Sequence, residues 1–280
     1  MTTTEERKQE AKKYRKTTSR KALGQWTVKT GRLEVEQLIR KQEQNRQKDL
    51  IPIRHERMSA SPFSFFRGAA VIQANDLAAS PGTPFRVQAC GDAHISNFGI
   101  FASPERRLVF GINDFDETLP APFEVDIKRL IASIEICGRQ RNFTKEQRQG
   151  AVRDAAAFYR KTMIEFSDMG TMEVWYKHLD LEEVLREDKY SPDKNQMKEI
   201  RDAISKSMSK TSERAVRKLT EIVDGKTCIK SDPPLIVPFR DLIGEKKELY
   251  EFRYSLRNAL DLYKETLPAE RRIIIGSLCS

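Results

Sequence analysis

The chain has 280 residues, 39% hydrophobic and 32% charged, with a mean hydropathy of −0.61; that length can bury a core without disulfide or metal staples, as one large domain or two small ones. No run approaches the ~20 apolar residues that cross a bilayer, and MTTTEERKQEAKKYRK lacks the apolar segment of a secretory signal. The cysteines Cys90, Cys137, Cys228 and Cys279 lie far apart, which argues against a Cys-x-x-Cys zinc site and a disulfide framework; the expected compartment is the reducing cytoplasm. The net charge of +9 is concentrated at one end: residues 1–50 hold 14 Lys+Arg against 7 Asp+Glu, and the remaining 230 hold 36 against 34.

Residues 1–50 therefore read as a basic N-terminal arm, helical and frayed or disordered over 1–22, with a short amphipathic helix within 33–46. Such an arm suits nucleic acid, anionic lipid or an acidic partner, although only Tyr14 and Trp26 supply aromatic interleaving. In the body, 51–280, Pro52 and Pro62 predict an extended course from Ile51 to Ser64. Phe63, Phe65 and Phe66 form an aromatic knot expected in the core, followed by a short helix within 66–79 ahead of Pro81-Gly82. FRVQAC (85–90) and RLVFGI (107–112) read as two strands that would pair as a hairpin, with a turn over 102–106.

Four helix candidates follow. Glu124–Cys137 puts Ile127, Leu130, Ile131 and Ile134 on one face and is expected to stop at Gly138. Thr144–Phe166 opens with a Thr144/Gln147 capping box and carries a core stripe through Val152, Tyr159, Met163 and Phe166. Residues 193–223 read as helix broken near Thr211-Ser212 and ending at Gly225; after the Pro-rich connector Ser231–Pro238, Lys246–Tyr263 is the last helix. The fold class is α+β and mostly helical.

The chemistry concentrates in CGDAHISNFG and FGINDFDE, between Cys90 and Glu117. Asp114 and Asp116 are two apart, so in an extended segment their carboxylates share a face. Carboxylates with an Asn carbonyl are the hard oxygen ligands that Mg²⁺ or Mn²⁺ prefers. Asp92, followed five residues later by Asn97 and then by an apolar strand ending in Asp114, repeats the catalytic-loop and metal-loop logic of kinases. The G-D-x-H-x-x-N form is similar to aminoglycoside and choline phosphotransferases more than to protein kinases.

Taken in order, RMSASPFSFFRG (57–68), GDAHISNFG (91–99), NDFDET (113–118) and FEVDIKRL (123–130) resemble the bacterial family called domain of unknown function 2252. That resemblance implies the helical, catalytic lobe of a kinase-like fold with a small β-hairpin. Members of that family are usually longer and continue into a Gly-rich turn and a Lys-bearing strand that look like the nucleotide-covering lobe. This chain stops at IIIGSLCS, so a C-terminally shortened copy is expected. Neither G-x-G-x-x-G nor G-x-x-x-x-G-K-[ST] occurs, and the nucleotide-binding residues are unassigned.

The implied function is a Mg²⁺- or Mn²⁺-dependent, ATP-using phosphotransferase of a small-molecule acceptor, or an incomplete catalytic lobe of one. Asp92 is the expected base, and Asn97, Asp114 and Asp116 the expected metal ligands, with Glu117 adjacent. His94 fits a base or ligand, or a histidine that braces the loop. Arg67 fits a phosphate contact or a partner for the acidic cluster. Asp126 suits the first turn of a helix, while Lys128 and Arg129 fit either a solvated face or a clamp behind the site. Two alternatives are a non-catalytic module that engages an anionic partner through the basic arm, and a metal-dependent phosphohydrolase.

Overall fold

A computed structural model describes residues 4–78, 80–103, 105, 107–180, 194–208, 212–242, 246–268 and 272. Pro104 and Arg106 of the expected turn, Thr211 at the expected helix break, Cys279 and the IIIGSLCS end lie outside those residues. The fold is mixed, with helix predominating over small antiparallel sheets. Among the described residues no helix is long and apolar enough to cross a membrane. The chain divides into two compact units, Met1–Ser209 and Lys210–Ser280.

In the first unit, helices α1 (Thr4–Thr17) and α2 (Arg20–Leu23) lead into α3 (Val35–Glu43). The basic helix α1 is anchored to the body: the Tyr14 ring stands edge-on to Phe85, with centroids 5.3 Å apart. The following loop is fixed by a two-pronged pair from Arg32 to Asp76, at 2.6 and 3.0 Å. Instead of the expected extended course, residues 51–68 form helices α4 (Ile51–Ser59) and α5 (Pro62–Gly68). Each proline occupies the first helical turn, where a missing N–H costs nothing and the fixed φ suits the helix. The Ser61 hydroxyl caps α5 by accepting from the Ser64 N–H at 3.1 Å. Helix α6 (Ala70–Ala78) follows.

The expected hairpin is corrected. Strands β1 (Arg86–Ala89) and β4 (Leu119–Pro122) form one antiparallel ladder, with Val87 opposite Ala121. Strands β2 (Phe98–Ala102) and β3 (Leu108–Ile112) form another, with Gly99 opposite Gly111. Pro120 and Pro122 disguise β4, but in a two-stranded ladder every strand is an edge, and edges tolerate proline. Helices α7 (Glu124–Gln140), α8 (Lys145–Ser167) and α9 (Thr171–Tyr176) come next, then β5 (Leu179–Asp180) on the edge of β3 and α10 (Lys194–Met208).

Helix α7 packs against α5 and α8. It runs through Gly138 rather than stopping there. That glycine serves close approach: a Cβ on it would lie 2.9 Å from Arg148 Cγ of α8. The Thr144/Gln147 capping box of α8 is present. Two packing expectations are corrected: Phe65 and Met163 are exposed, because only one side of their short or lightly covered helices meets another element.

In the second unit, α11 (Ser212–Leu219) leads into a hairpin of β6 (Thr220–Val223) and β7 (Lys226–Ile229), so the helix ends earlier than expected. Asp224 and Gly225 both have positive φ, 50° and 75°, the two-residue turn that Asp-Gly favours between strands. Helix α12 (Phe239–Leu242) meets α13 (Lys246–Thr266) through the Phe239 and Phe252 rings, 4.6 Å apart.

Candidate functional site

The buried polar and charged side chains among those described are His94, Asn97, Glu124, Arg129 and Ser133. All belong to the β1–β2 loop or to α7. Burying polar groups is costly unless each finds partners, and the partners here hold one loop in one shape.

The loop begins at the end of β1. The Asp126 carboxylate, in the first turn of α7, accepts from the backbone N–H of Cys90 at 2.8 Å and of Gly91 at 2.9 Å. Gly91 has a φ of +82°, and its Cα abuts the Glu117 backbone so closely that a Cβ would collide with the carbonyl. One turn further along α7, Arg129 Nε donates to Asp92 Oδ1 at 2.7 Å. Its other nitrogens reach Gln73 Oε1 at 3.1 Å and the Phe66 carbonyl at 2.6 Å, and its guanidinium carbon sits 3.9 Å above the Phe66 ring. After another turn, the Ser133 hydroxyl accepts from the Ile95 N–H at 2.9 Å. Residues 126, 129 and 133 lie three and four apart, so they share one face of α7. That face is the loop's scaffold.

Asn97 joins this loop to the segment after β3. Its Nδ2 donates to the backbone carbonyls of Asp92 at 3.1 Å and Asp114 at 2.9 Å. The Cys90 thiol also donates to the Asp114 carbonyl, at 3.3 Å, and the Asn113 N–H donates to the Asn97 carbonyl. Asn97 Oδ1 receives no hydrogen bond from the described residues. Asp114 is exposed, and one of its carboxylate oxygens accepts from the Asp116 N–H at 3.1 Å. The side chains of Asp116 and Glu117 are exposed on the same turn.

Asp92 is the pivot. One carboxylate oxygen is held by Arg129, while the other lies 3.7 Å from His94 Nε2, beyond hydrogen-bond reach. Its side chain keeps 21% of its exposure, so this second oxygen is open to an incoming group. His94 is buried edge-on to Phe63, and its Nδ1 has no partner among the described residues. Burial pushes the His94 imidazole below its ordinary pKa; Asp92 opposes this, and the charges of Arg129 and Arg67 add to it. Burial thus disfavours the charged form of this ring. Burial also lowers the Arg129 pKa, against the pull of Asp92, and raises that of the Cys90 thiol, which argues against a thiolate nucleophile there.

The structure brings Asp92, His94, Asn97, Asp126 and Arg129 together with the Asp114 backbone. Arg67 ends α5, exposed, and makes no ion pair with the acidic turn among the described residues. Arg129 lies buried rather than on a solvated face, and Lys128 faces away from the loop, into a cavity. Among the described residues no three His, Cys, Asp or Glu side chains converge as a cation cage. Two residues that sequence reasoning missed complete the site, Ser133 and Gln73; the buried Glu124 instead holds the segment before β1, where its carboxylate accepts from the Thr83 N–H and hydroxyl. The signal for Ser133 was its place one turn beyond Arg129 and two beyond Asp126.

The sequence pattern of a bacterial family, described as uncharacterized protein conserved in bacteria (DUF2252), matches residues 46–278. The chain belongs to that family. The match takes in the whole candidate loop, the acidic turn and the scaffold face of α7. No curated protein and no solved structure matches the chain.

Proposed function

We propose that this chain is a Mg²⁺-dependent phosphotransferase, or the catalytic lobe of one, that uses ATP and acts on a hydroxyl of a small molecule. The observation that carries the reading is the Asn97 amide, which ties the backbone of Asp92 to that of Asp114. Two acidic segments are thereby held side by side, with Asn97 Oδ1 and the Asp114 carboxylate still available. Mg²⁺ needs only one or two protein carboxylates when substrate phosphates and water complete its shell, so a sparse hard-oxygen donor set fits it. Bound there, the metal would neutralise charge on the phosphoryl group.

The residues then divide the work. The open oxygen of Asp92 orients the acceptor hydroxyl and takes its proton. Arg129 fixes that carboxylate through its other oxygen. Asn97 and Asp114 hold the metal, with Asp116 assisting from the same turn. Arg67, exposed and without an ion pair among the described residues, is a cation available to a phosphate. Asp126 and Ser133 position the loop by gripping its backbone.

The test is phosphate release and transfer from γ-labelled ATP in the presence of Mg²⁺, with water and a panel of amino sugars and amino alcohols as acceptors. The wild-type chain should turn over, and Asp92→Ala should abolish turnover while metal-dependent nucleotide binding survives. Turnover undiminished in Asp92→Ala would overturn the assignment of the base.

A further inference from the structure

Helix α7 has a second polar face. Lys128, Ile131, Ala132 and Glu135 point away from the Asp92 loop and line a cavity of about 970 Å³. Leu77 and Gln73 of α6, Val152 of α8 and Trp26 of the segment after α2 supply its other walls. A cavity of this size, apolar with a few polar groups, has the dimensions and lining of a small-molecule site.

Its charges are unequal. The two acidic side chains on its walls are already paired: Asp76 with Arg32 at 2.6 Å, and Glu135 with Arg139 at 2.7 Å and Arg148 at 3.1 Å. Lys128 is half-buried and makes no hydrogen bond or ion pair among the described residues, and Arg153 on the rim likewise has none. An unpaired amine at the edge of an apolar wall is a ready partner for an anion, since it gains a close opposite charge without breaking an existing pair. Burial lowers the Lys128 pKa, opposed by the charge of Glu124 one turn earlier on α7.

We propose that this cavity binds an amphipathic carboxylate, with the Lys128 ammonium holding the carboxylate and the apolar body lying between Trp26, Leu77, Ile131 and Val152. The site is on the opposite face of α7 from Asp92, so the inference stands independently of the phosphotransferase reading. Gln73 touches both regions, since it lines the cavity and accepts from Arg129.

The experiment is a fluorescence titration of Trp26 in a Trp175→Phe chain, which removes the other tryptophan, an exposed one. The probes are 2-naphthoate, decanoate, 2-naphthamide and 2-naphthylmethylammonium. At least one carboxylate should saturate Trp26 and bind at least tenfold tighter than 2-naphthamide, and the ammonium should bind worst. Which of the two carboxylates wins distinguishes an aromatic from an acyl body. Lys128→Met should erase the preference for charge, and Lys128→Arg should keep it. Neither carboxylate binding tighter than 2-naphthamide in the unsubstituted Lys128 chain, preference for the ammonium, or no saturable response would overturn the proposal. That comparison needs no Lys128 variant, so it decides even where Lys128→Met fails to fold.

Discussion

Arg129 Nε and Asp92 Oδ1 lie 2.7 Å apart, and the arginine is 1% exposed. The carboxylate therefore has one oxygen committed to the protein interior and one left for chemistry. A buried guanidinium bound at once to a carboxylate, an amide oxygen, a backbone carbonyl and a ring face fixes the loop in several directions. Arg129→Met should thus cost about 3–5 kcal/mol, the range for stranding one member of a buried pair. Arg129→Lys should recover only a small part of it, since a single ammonium cannot reach all four partners. Urea unfolding of the three chains measures both.

Asp126 grips two consecutive N–H groups that have no other acceptor among the described residues. Asp126→Asn keeps one acceptor oxygen and turns an NH₂ toward the second N–H. A loss of about 1–3 kcal/mol is expected, together with faster amide exchange at Cys90 and Gly91. Exchange at those two positions equal to that of the unsubstituted chain would remove Asp126 from its positioning role.

Two glycines with similar backbone angles separate conformational strain from close approach. Gly225, at φ +75°, has open space where a Cβ would go, so Gly225→Ala should cost about 1–2 kcal/mol from the left-handed angle alone. Gly91, at φ +82°, would in addition drive a Cβ into the Glu117 backbone. Gly91→Ala should therefore cost roughly twice as much or more. Thermal unfolding of both variants checks the ranking.

His94 predicts a pH dependence with a definite sign. Its folded pKa is depressed, chiefly by burial, so just below about pH 6.5, the ordinary imidazole value, the unfolded chain binds the proton and the folded chain does not. Stability present above about pH 6.5 is lost as pH falls through that window toward the folded value. Melting temperatures of wild type and His94→Gln, measured from pH 8 to pH 5, should converge toward the acid end because the variant lacks this loss. Parallel curves would show that His94 does not titrate on unfolding.

What the sequence made legible was local. The Thr144/Gln147 capping box marks the start of α8, and Asp92 and Asn97 lie on a loop between strands, as their polar setting suggested. Prolines misled over 51–64, where Pro52 and Pro62 open helices instead of breaking them; the strand that holds Pro120 and Pro122 went unread. Pairing was the harder matter: 108–112 takes 98–102 as its partner rather than 85–90, a choice that propensity along one strand does not encode. Arg129 was ambiguous for a similar reason. A charged residue on an amphipathic helix reads as solvated until the loop that buries it is in place.

The measurement that bears most directly on the central claim is a calorimetric titration of the full chain with Mg²⁺ and a non-hydrolysable ATP analogue, beside Asp114→Asn. That substitution keeps the oxygen able to accept from the Asp116 N–H and removes only the charge. Nucleotide binding should require Mg²⁺ and weaken at least tenfold in Asp114→Asn. Absence of Mg²⁺-dependent nucleotide binding in the unsubstituted chain, or the same affinity in both chains, would contradict the claim.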